Sequence, residues 1–326
     1  MNYVKKKRTA VVLVGLGEPS GPKDVVRYKE SILGDPFVRP HVLIEGLRPL
    51  TAKVMALATK YSEISRFKEI MWKRCSFEAA RFLAERLGSH LNEIKDYNTR
   101  AAIAMRYGEP SIPDVVAELK MDGVLNFIFV PLFPHYAPST VGTIAATIDL
   151  AWMDPSYRDL RYRIVREWHN NTEFIKAWSE TLVAAIDNFP ADRQKGIHLL
   201  FCARAVVKGF SKPILVEYSD NLLESIELIM AMADGKNPFS LAYHSPFGKL
   251  KFEGRSVEDE LIELGKKGVE DCLIIPISFV YDNVETLVDI DRRILSRSAE
   301  FRIDGLSMIS PPLNSERFVK ALASLV

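Results

Sequence analysis

Cysteine is scarce in this chain. Its three cysteines, Cys75, Cys202 and Cys272, lie too far apart for a Cys-x-x-Cys metal clamp or an iron–sulfur cluster. So low a content in a chain of 326 residues is typical of a reducing compartment, where disulfides are not expected. The sequence therefore predicts neither a disulfide scaffold nor an iron–sulfur protein.

An excess of charge is also missing, as are long apolar runs. Lys and Arg number 43 against 42 Asp and Glu, so the formal charge of +1 provides no overall attraction to nucleic acid or an anionic membrane. No run reaches the roughly 18 apolar residues that a spanning helix needs. The basic stretch Met1–Lys7 precedes a short apolar run without a small-residue cleavage site, which favours a first strand over a signal peptide. We expect a cytoplasmic protein with at most peripheral membrane contact and no nucleic-acid partner.

Several catalytic motifs are absent as well. The six histidines form no His-x-x-x-His or His-Glu-x-x-His pair, which excludes the common zinc hydrolases. No Gly-x-Ser-x-Gly elbow occurs. The glycine-containing loop Gly15–Pro19 lacks the spacing of nucleotide-binding loops, so it is either a plain tight turn or a weak anion cradle.

What the chain does contain is an alternation of short aliphatic runs and amphipathic segments. The runs predict strands at Ala10–Leu16, Ala101–Arg106, Leu125–Pro131, Tyr162–Arg166, His198–Ala203, Leu241–His244 and Leu273–Val280. Helical periodicity predicts helices at Phe77–Leu87, Ile112–Leu119, Thr172–Ile186, Leu222–Met232 and Val257–Lys266. This alternation indicates an α/β fold with parallel sheets and right-handed crossovers.

The two halves of the chain resemble each other. A Gly-Val pair precedes an apolar run that ends in proline at Gly123–Pro131 and again at Gly268–Pro276, 145 positions later. We therefore expect two similar α/β domains, 1–160 and 161–326, with a C-terminal helix at Ser315–Leu325 closing the second. Ligands of open parallel sheets bind beyond the carboxyl ends of the strands, so we expect a ligand cleft at those ends.

Three loops after strands carry residues suited to a ligand. Arg106 and Tyr107 could hold a carboxylate and stack on a flat ring, or Arg106 could belong to a structural ion pair with a glutamate. The loop after Pro131 offers an aromatic pocket wall, whereas its hydroxyls could simply cap the next helix; its candidate binding residues are Pro134, His135, Tyr136, Ser139 and Thr140.

The third loop leads into a segment that holds two acidic residues. Glu285 and Asp289 lie four positions apart, on one face of a predicted helix. That spacing indicates either a solvated helix face or, as a sharper alternative, a path for a cation or a proton.

Five stretches in these regions resemble the bacterial ferrochelatases. They read LVGLGEPSGPKDVVRYKESILGDPFV from Leu13, AMRYGEPSI from Ala104, VPLFPHYAPSTVGT from Val130, YHSPFG from Tyr243 and PISFVYDNVETLVDID from Pro276. The resemblance spans almost the whole chain in order. It implies a chelatase fold of two similar Rossmann-like domains, each a parallel sheet flanked by helices, and a reaction that inserts Fe²⁺ into a porphyrin while two pyrrole protons leave.

The resemblance also shows one decisive departure. The family carries its catalytic histidine in a Phe-Ser-Ala-His-Gly motif, and the matching stretch here reads Phe201-Cys202-Ala203-Arg204-Ala205. A guanidinium stays protonated at physiological pH and has no lone pair for a metal, so Arg204 cannot replace the histidine as base or ligand. An ion pair between Arg204 and Glu285 would neutralise the site.

Other positions fit the family better. Glu285 matches its catalytic acid, and Asp289 keeps the acid one turn further on. His244 stands where the family usually has glutamine, and so does His135, which precedes Tyr136. The resemblance implies that Arg204, Glu285, Asp289 and His244 occupy the catalytic positions. It also makes Glu285 and His244 candidate metal ligands. A lone histidine in a loop can equally have a structural role.

Further departures accompany the missing histidine. The family's Glu-Gly-Ser-Pro-Leu segment is absent after Met71-Trp72, its Trp-Leu-x-Pro stretch reads differently at Leu250–Gly254, and its Asp-His is Asp282-Asn283 here. Two hypotheses follow from the resemblance. The first is a tetrapyrrole-binding protein linked to haem biosynthesis that has lost most or all chelatase activity. The second is a divergent ferrochelatase that uses Glu285, Asp289 and His244. A further alternative, a structural or interaction protein with a collapsed cleft, would require Arg204 and neighbouring side chains to fill the site.

Both hypotheses imply the same small molecules. Porphyrin or haem is the expected ligand, Fe²⁺ is the substrate if the protein is active, and no tightly bound cofactor is expected. A homodimer, or a pair with an active paralogue, is the expected protein partnership.

Overall fold

The computed structural model describes residues 8–40, 45–71, 75–94, 99–245, 252 and 254–326. The basic N-terminus and parts of two departures from the family, at 72–74 and at 246–251 with 253, lie outside the described residues.

Contacts divide the chain into two compact units. The first unit comprises Met1–Trp168 together with Val319–Val326, and the second comprises His169–Phe318. This division differs from the predicted domains at the C-terminus, because the last eight residues group with the first unit. One contact within that unit is a hydrogen bond of 2.7 Å from Arg163 Nη2 to the carbonyl oxygen of Leu325.

The first unit is built on four parallel strands in the order β2-β1-β3-β4. The strands are β1 (Arg8–Gly15), β2 (Thr99–Met105), β3 (Val124–Pro131) and β4 (Arg161–Ile164). Its helices are α1 (Val25–Gly34), α2 (Arg48–Ala58), α3 (Lys60–Met71), α4 (Cys75–Ile94), α5 (Ile112–Met121) and α6 (Thr143–Ala151). Strand β1 is apolar at every position from Ala10 to Val14 and wholly buried there, as expected of a parallel strand covered on both faces.

The second unit repeats this plan with the strand order β6-β5-β7-β8, again all parallel. The strands are β5 (His198–Arg204), β6 (Phe239–His244), β7 (Asp271–Ile275) and β8 (Gly305–Met308). Its helices are α7 (Thr172–Asp187), α8 (Lys212–Met232), α9 (Val257–Lys266) and α10 (Ser298–Phe301). Most of the last helix, α11 (Glu316–Ser324), groups with the first unit. The predicted α/β class, with two similar helix-flanked parallel sheets, is therefore confirmed.

The repeat seen in the sequence corresponds to a repeated helix–turn–strand segment. Helices α5 and α9 begin 145 positions apart, each capped by a serine hydroxyl that accepts a backbone N–H, Ser111 from Asp114 and Ser256 from Asp259. Each helix then ends at a glycine with positive φ, 81° at Gly123 and 79° at Gly268, a conformation that side chains with a Cβ rarely adopt. The following strands, β3 and β7, occupy the same place in their sheets.

Candidate functional site

Two candidate residues are neighbours at one end of the second sheet. Arg204 and His244 are the last residues of β5 and β6, and they are register partners in the parallel ladder. A hydrogen bond of 2.7 Å from the amide of Ala205 to the carbonyl oxygen of His244 continues the pairing beyond the strands. Both side chains therefore start from the carboxyl-terminal edge of the sheet, where ligands of this architecture bind.

The backbone of Arg204 is fixed on both sides. Its amide donates to the Ser278 hydroxyl at 2.9 Å, and its carbonyl oxygen accepts from the Tyr218 hydroxyl at 2.8 Å. Burial raises the pKa of Tyr218, so this phenol stays protonated as a donor. The position of Arg204 is thus set by the fold and does not depend on its own side-chain contacts.

The acidic segment begins where the sequence predicted a helix, but it is a π-helix, Glu285–Ile294. The Asn283 side chain opens it, because its Oδ1 accepts the Glu285 amide at 2.8 Å. Glu285 and Asp289 are only 5 % and 6 % exposed, so the interpretation of this face as solvated is wrong. Wider π-turns often occur at functional sites, and here the turn buries two carboxylates that must then be compensated.

Arg204 compensates the first carboxylate. Its Nη1 forms a very short contact with Glu285 Oε1, and the two side chains are 11 % and 6 % exposed. The ion pair that the sequence suggested is therefore present. The second carboxylate oxygen, Glu285 Oε2, is buried and has no hydrogen-bond partner among the described residues.

Two basic groups surround the second carboxylate. His244 Nε2 lies 3.3 Å from Asp289 Oδ2, and Arg293 Nη1 lies 3.3 Å from Asp289 Oδ1. His244 and Asp289 are both buried, whereas Arg293 is exposed. The structure therefore brings Arg204, Glu285, His244 and Asp289 together as two adjacent acid–base pairs, which we call the paired-charge site.

The chemistry available at this site is limited by the first pair. Arg204 cannot accept a proton or ligate a metal, and its charge neutralises Glu285. Burial also raises the pKa of the neighbouring Cys202 thiol, so that residue supplies no thiolate. A proton acceptor that remains is the imidazole of His244 beside Asp289.

Two further candidates, Arg106 and Tyr107, belong to a polar network in the first unit. Arg106 Nη2 donates to Asp35 Oδ2 at 2.6 Å and its Nε donates to Thr143 Oγ1 at 2.7 Å. The Tyr107 hydroxyl donates to the same Asp35 oxygen at 2.9 Å, and the guanidinium of Arg106 lies 4.4 Å from the Tyr107 ring centroid. Burial, and secondly the Asp35 carboxylate, raises the pKa of Tyr107. Arg106 thus has a structural acidic partner, which is an aspartate and not the glutamate that the sequence suggested.

The remaining candidates lie in the loop after β3. Pro134 and His135 are buried, and the Tyr136 hydroxyl lies so close to Gly142 that a Cβ there would approach it to 3.3 Å. Ser139 and Thr140 do not cap a helix, so that prediction is wrong. They lie within a π-helical turn, Pro138–Gly142, that leads into α6, and Thr140 Oγ1 donates to the Ala137 carbonyl oxygen instead. The ligand-binding role of these residues, and of Arg106 and Tyr107, stays a prediction.

Sequence reasoning missed the residues that hold the candidates in place. Asp35 and Thr143 lie within the stretches that resemble the family, but neither was singled out. Ser278 and Arg293 also lie in or just beyond such a stretch, where a hydroxyl or a cation one helical turn from an acid is a common and unspecific signal. The missed residues are Asp35, Thr143, Tyr218, Ser278 and Arg293.

A comparison with known families decides the relationship. The sequence model of the family described as Ferrochelatase matches residues 8–326. The chain belongs to the ferrochelatase family. Among curated ferrochelatases, those of Nostoc sp., Trichormus variabilis and Synechocystis sp. are 29 %, 30 % and 28 % identical to it, over 98 % of this chain. The match covers 81 % of the first two relatives and 82 % of the third.

Solved structures agree with this fold. SirB from Bacillus subtilis with Fe³⁺ superposes with a TM-score of 0.57 at 15 % identity, over 97 % of this chain and 93 % of that one. The sirohydrochlorin chelatase SirB from Bacillus subtilis subspecies spizizenii in complex with cobalt gives 0.54 at 12 % identity, over 98 % and 94 %. At such low identity the likeness shows a shared chelatase fold.

No group of three or more His, Cys, Asp or Glu side chains in the described residues is arranged to hold a metal ion. Glu285 pairs with Arg204, and His244 pairs with Asp289. The assignment of Glu285 and His244 to a metal site stays a prediction. No described helix is long and apolar enough to cross a membrane.

Proposed function

We propose that this ferrochelatase-family member binds a tetrapyrrole in connection with haem biosynthesis and has lost most or all metal-inserting activity. The observation that carries the proposal is the buried ion pair of Arg204 with Glu285. Family membership supports the ligand class, and the preserved chelatase fold supports a retained ligand site.

Metal insertion places specific demands on a protein. Two pyrrole protons must be accepted, and an undercoordinated Fe²⁺ substrate must be delivered to the ring nitrogens. A neutral imidazole opposite a carboxylate meets both demands near pH 7. Arg204 places a fixed positive charge where the family has the imidazole. It also forms an ion pair with Glu285, the carboxylate that would otherwise accept a proton or attract the metal ion.

The residues of the paired-charge site can bind a ligand without catalysing a reaction. Arg204 neutralises Glu285, so the site carries little net charge at this point. Glu285 Oε2 remains as a buried hydrogen-bond acceptor, suited to a pyrrole N–H of a metal-free ring. The site can therefore hold a ring through hydrogen bonding while it disfavours a free metal cation.

One observation favours a second candidate function. His244 and Asp289 form a buried pair on the neighbouring strand end, where an imidazole could accept a proton. A divergent active ferrochelatase would use this pair, with Glu285, to move protons and the Fe²⁺ substrate. The alternative requires that the ion pair of Arg204 and Glu285 opens during turnover.

The deciding experiment is anaerobic insertion of Fe²⁺ or Zn²⁺ into porphyrin by the purified full-length chain, followed by absorbance. Arg204→His is assayed alongside, with Arg204→Gln as the matched control that removes the charge without adding an imidazole. Coproporphyrin and protoporphyrin are both offered, and binding is measured separately by fluorescence.

We expect the wild-type chain to bind porphyrin and insert little or no metal, with activity rising in Arg204→His and not in Arg204→Gln. Rapid insertion by the wild type that depends on His244 would establish the alternative. Failure to bind any porphyrin would contradict both candidate functions.

A further inference from the structure

A row of polar side chains crosses the sheet of the first unit near the amino-terminal ends of its strands. Thr9 on β1 is the register partner of Asn126 on β3, which is in turn the partner of Arg161 on β4. Register partners point to the same face of the sheet, and neighbouring strands lie about 4.8 Å apart. Two residues further on, the same face pairs Ile128 with Arg163. The face therefore carries two guanidinium groups beside an amide and a hydroxyl.

These polar residues are unusual for their place in the sheet. Strands of a parallel sheet are typically apolar at nearly every position, and Asn126 is the one polar residue in β3. Asparagine is also a poor strand former. Within the described part of the chain, the side chains of Thr9, Asn126 and Arg161 make no hydrogen bond or ion pair. Their donors therefore remain open to a ligand.

A cavity of about 260 Å³ lies on this polar row, and we call it the β4 cavity. Its lining includes Thr9, Asn126, Ile128, Arg161 and Arg163. No acidic side chain of the described residues lines it. At about 30 Å³ for each water molecule, the space would hold roughly eight waters, which is enough for a phosphate group and a short organic remainder.

The contacts around β4 leave the positive charge of the cavity in place. Tyr162 alternates with the two arginines, so its side chain points to the opposite face, where its hydroxyl donates to Asp149 at 2.8 Å. Arg163 Nη2 donates to the Leu325 carbonyl oxygen at 2.7 Å. That bond holds the guanidinium but uses only one of its five N–H donors and does not neutralise it.

The second unit shows how the corresponding place is filled there. Asp271 on β7 lies 145 positions after Asn126, and each is the register partner of the first residue of its edge strand, β8 or β4. The Asp271 carboxylate accepts Arg193 Nε at 2.8 Å and Nη2 at 2.5 Å, and Asp271 is 5 % exposed. One copy of the repeat thus contains its own oxyanion bound by a guanidinium. The other copy has an amide at that position, two guanidiniums and a cavity.

The charge of the β4 cavity indicates which oxyanion fits it. One carboxylate matches one guanidinium, as Asp271 does, whereas Arg161 and Arg163 together match a dianion. A phosphate monoester carries a charge of about −1.5 to −2 at pH 7, and its three terminal oxygens can accept from guanidinium, amide and hydroxyl donors at once. We propose that the β4 cavity binds phosphate, either as the free ion or as the phosphate group of a small molecule. Phosphate binding there does not require the tetrapyrrole of the proposed function.

The test is isothermal titration calorimetry of the full-length protein with inorganic phosphate and with glycerol 3-phosphate, each compared with acetate at equal ionic strength. We expect acetate to bind about tenfold more weakly than either phosphate, or not at all. Arg161→Gln should weaken phosphate binding about tenfold, and Asn126→Asp, which introduces the acid found in β7, should abolish it. Tighter binding of glycerol 3-phosphate would assign the cavity to a phosphorylated small molecule, and tighter binding of inorganic phosphate would assign it to the free ion.

The matched control is Arg158→Gln, which removes the same charge from an exposed residue that does not line the cavity. It should bind phosphate as the wild type does, and circular dichroism checks the fold of every variant. Porphyrin binding, read by fluorescence, should be unchanged in Arg161→Gln. Lack of phosphate binding by the wild type, equal affinities for phosphate and acetate, or phosphate binding that survives both Arg161→Gln and Asn126→Asp would overturn the proposal. A wild type that binds phosphate but no porphyrin would support the β4 cavity and contradict the proposed function alone.

Discussion

His244 and Arg293 approach the same carboxylate from its two oxygens: each lies 3.3 Å from Asp289. This arrangement orients the His244 ring toward Asp289, beside the ion pair of Arg204 with Glu285. An imidazole held in this way is either a structural hydrogen-bonding residue or a proton acceptor, and the difference is measurable.

The role of His244 is tested in the Arg204→His background, where we expect metal insertion to be regained. Addition of His244→Gln should change the insertion rate less than about tenfold, whereas addition of Glu285→Gln should lower it by about 100-fold or more, as expected for loss of a general base. The rates are read by absorbance during Zn²⁺ insertion. A loss on His244→Gln as large as that on Glu285→Gln would assign the proton path to His244.

The ion pair of Arg204 with Glu285 makes a second prediction, about stability. Glu285→Gln removes the negative charge that compensates the buried Arg204 guanidinium, so the free energy of unfolding should fall by about 3–5 kcal/mol. The double variant Arg204→Met/Glu285→Leu should recover most of that loss, because apolar side chains of similar volume need no compensation. Urea unfolding curves measure both.

The matched control uses a surface pair. Glu78 lies 2.6 Å from Arg81, and both side chains are about half exposed, so Glu78→Gln should leave the urea unfolding curve almost unchanged. A double variant that is less stable than Glu285→Gln alone would show that the buried pair is a net stabilising interaction.

The buried oxygen Glu285 Oε2 makes a third prediction, about ligand choice. A metal-free porphyrin has N–H groups to donate, and its Zn²⁺ complex does not. We expect the metal-free ring to bind about tenfold more tightly or better, the usual contribution of a hydrogen bond to a charged group. Fluorescence titration with both rings measures the preference, which Glu285→Gln should reduce. Equal affinities in the wild type would place the ring nitrogens away from Glu285.

His198, at the start of β5, makes a fourth prediction, about pH. Burial lowers its pKa below the ordinary value of 6.5, and its Nε2 lies 2.9 Å from the Ser240 hydroxyl. The folded state therefore binds fewer protons than the unfolded state as the pH falls below 6.5. Its contribution to stability is complete above that pH and is lost as the pH falls through the lowered pKa.

Thermal unfolding across this range measures the effect. His198→Gln should flatten the decline of stability below pH 6.5. An identical decline in wild type and His198→Gln would show that other groups cause it.

The fold was largely predictable because its central strands β1, β5 and β7 are buried along almost their whole length. Runs such as the one starting at Ala10 are apolar at consecutive positions, and the predicted strands overlap seven of the eight strands in the described part of the chain. The missed strand, β8, is a four-residue edge strand, Gly305–Met308, whose residues are all half-buried. So short a segment carries no periodicity to detect. Among the described helices, the sequence analysis also missed α1, α2, α3, α6 and α10.

The candidate site was predictable in its members and in the ion pair of Arg204 with Glu285, but not in its burial. Resemblance supplied Arg204, Glu285, His244 and Asp289 by position, and the charges of Arg204 and Glu285 suggested their ion pair. The burial of Glu285 and Asp289 was not predicted, because two acids four positions apart usually face solvent. Their burial depends on cations that come from a strand end, Arg204, and from the next helical turn, Arg293.

The segment repeated after 145 residues gives the chain two similar sheets, each with its own buried core. In evolutionary terms, a substitution in one copy is subject to the packing of that copy, while the other core stays as it was. A guanidinium at the β5 strand end, where the resemblance to the family places an imidazole, is therefore compatible with an undisturbed core in the first unit.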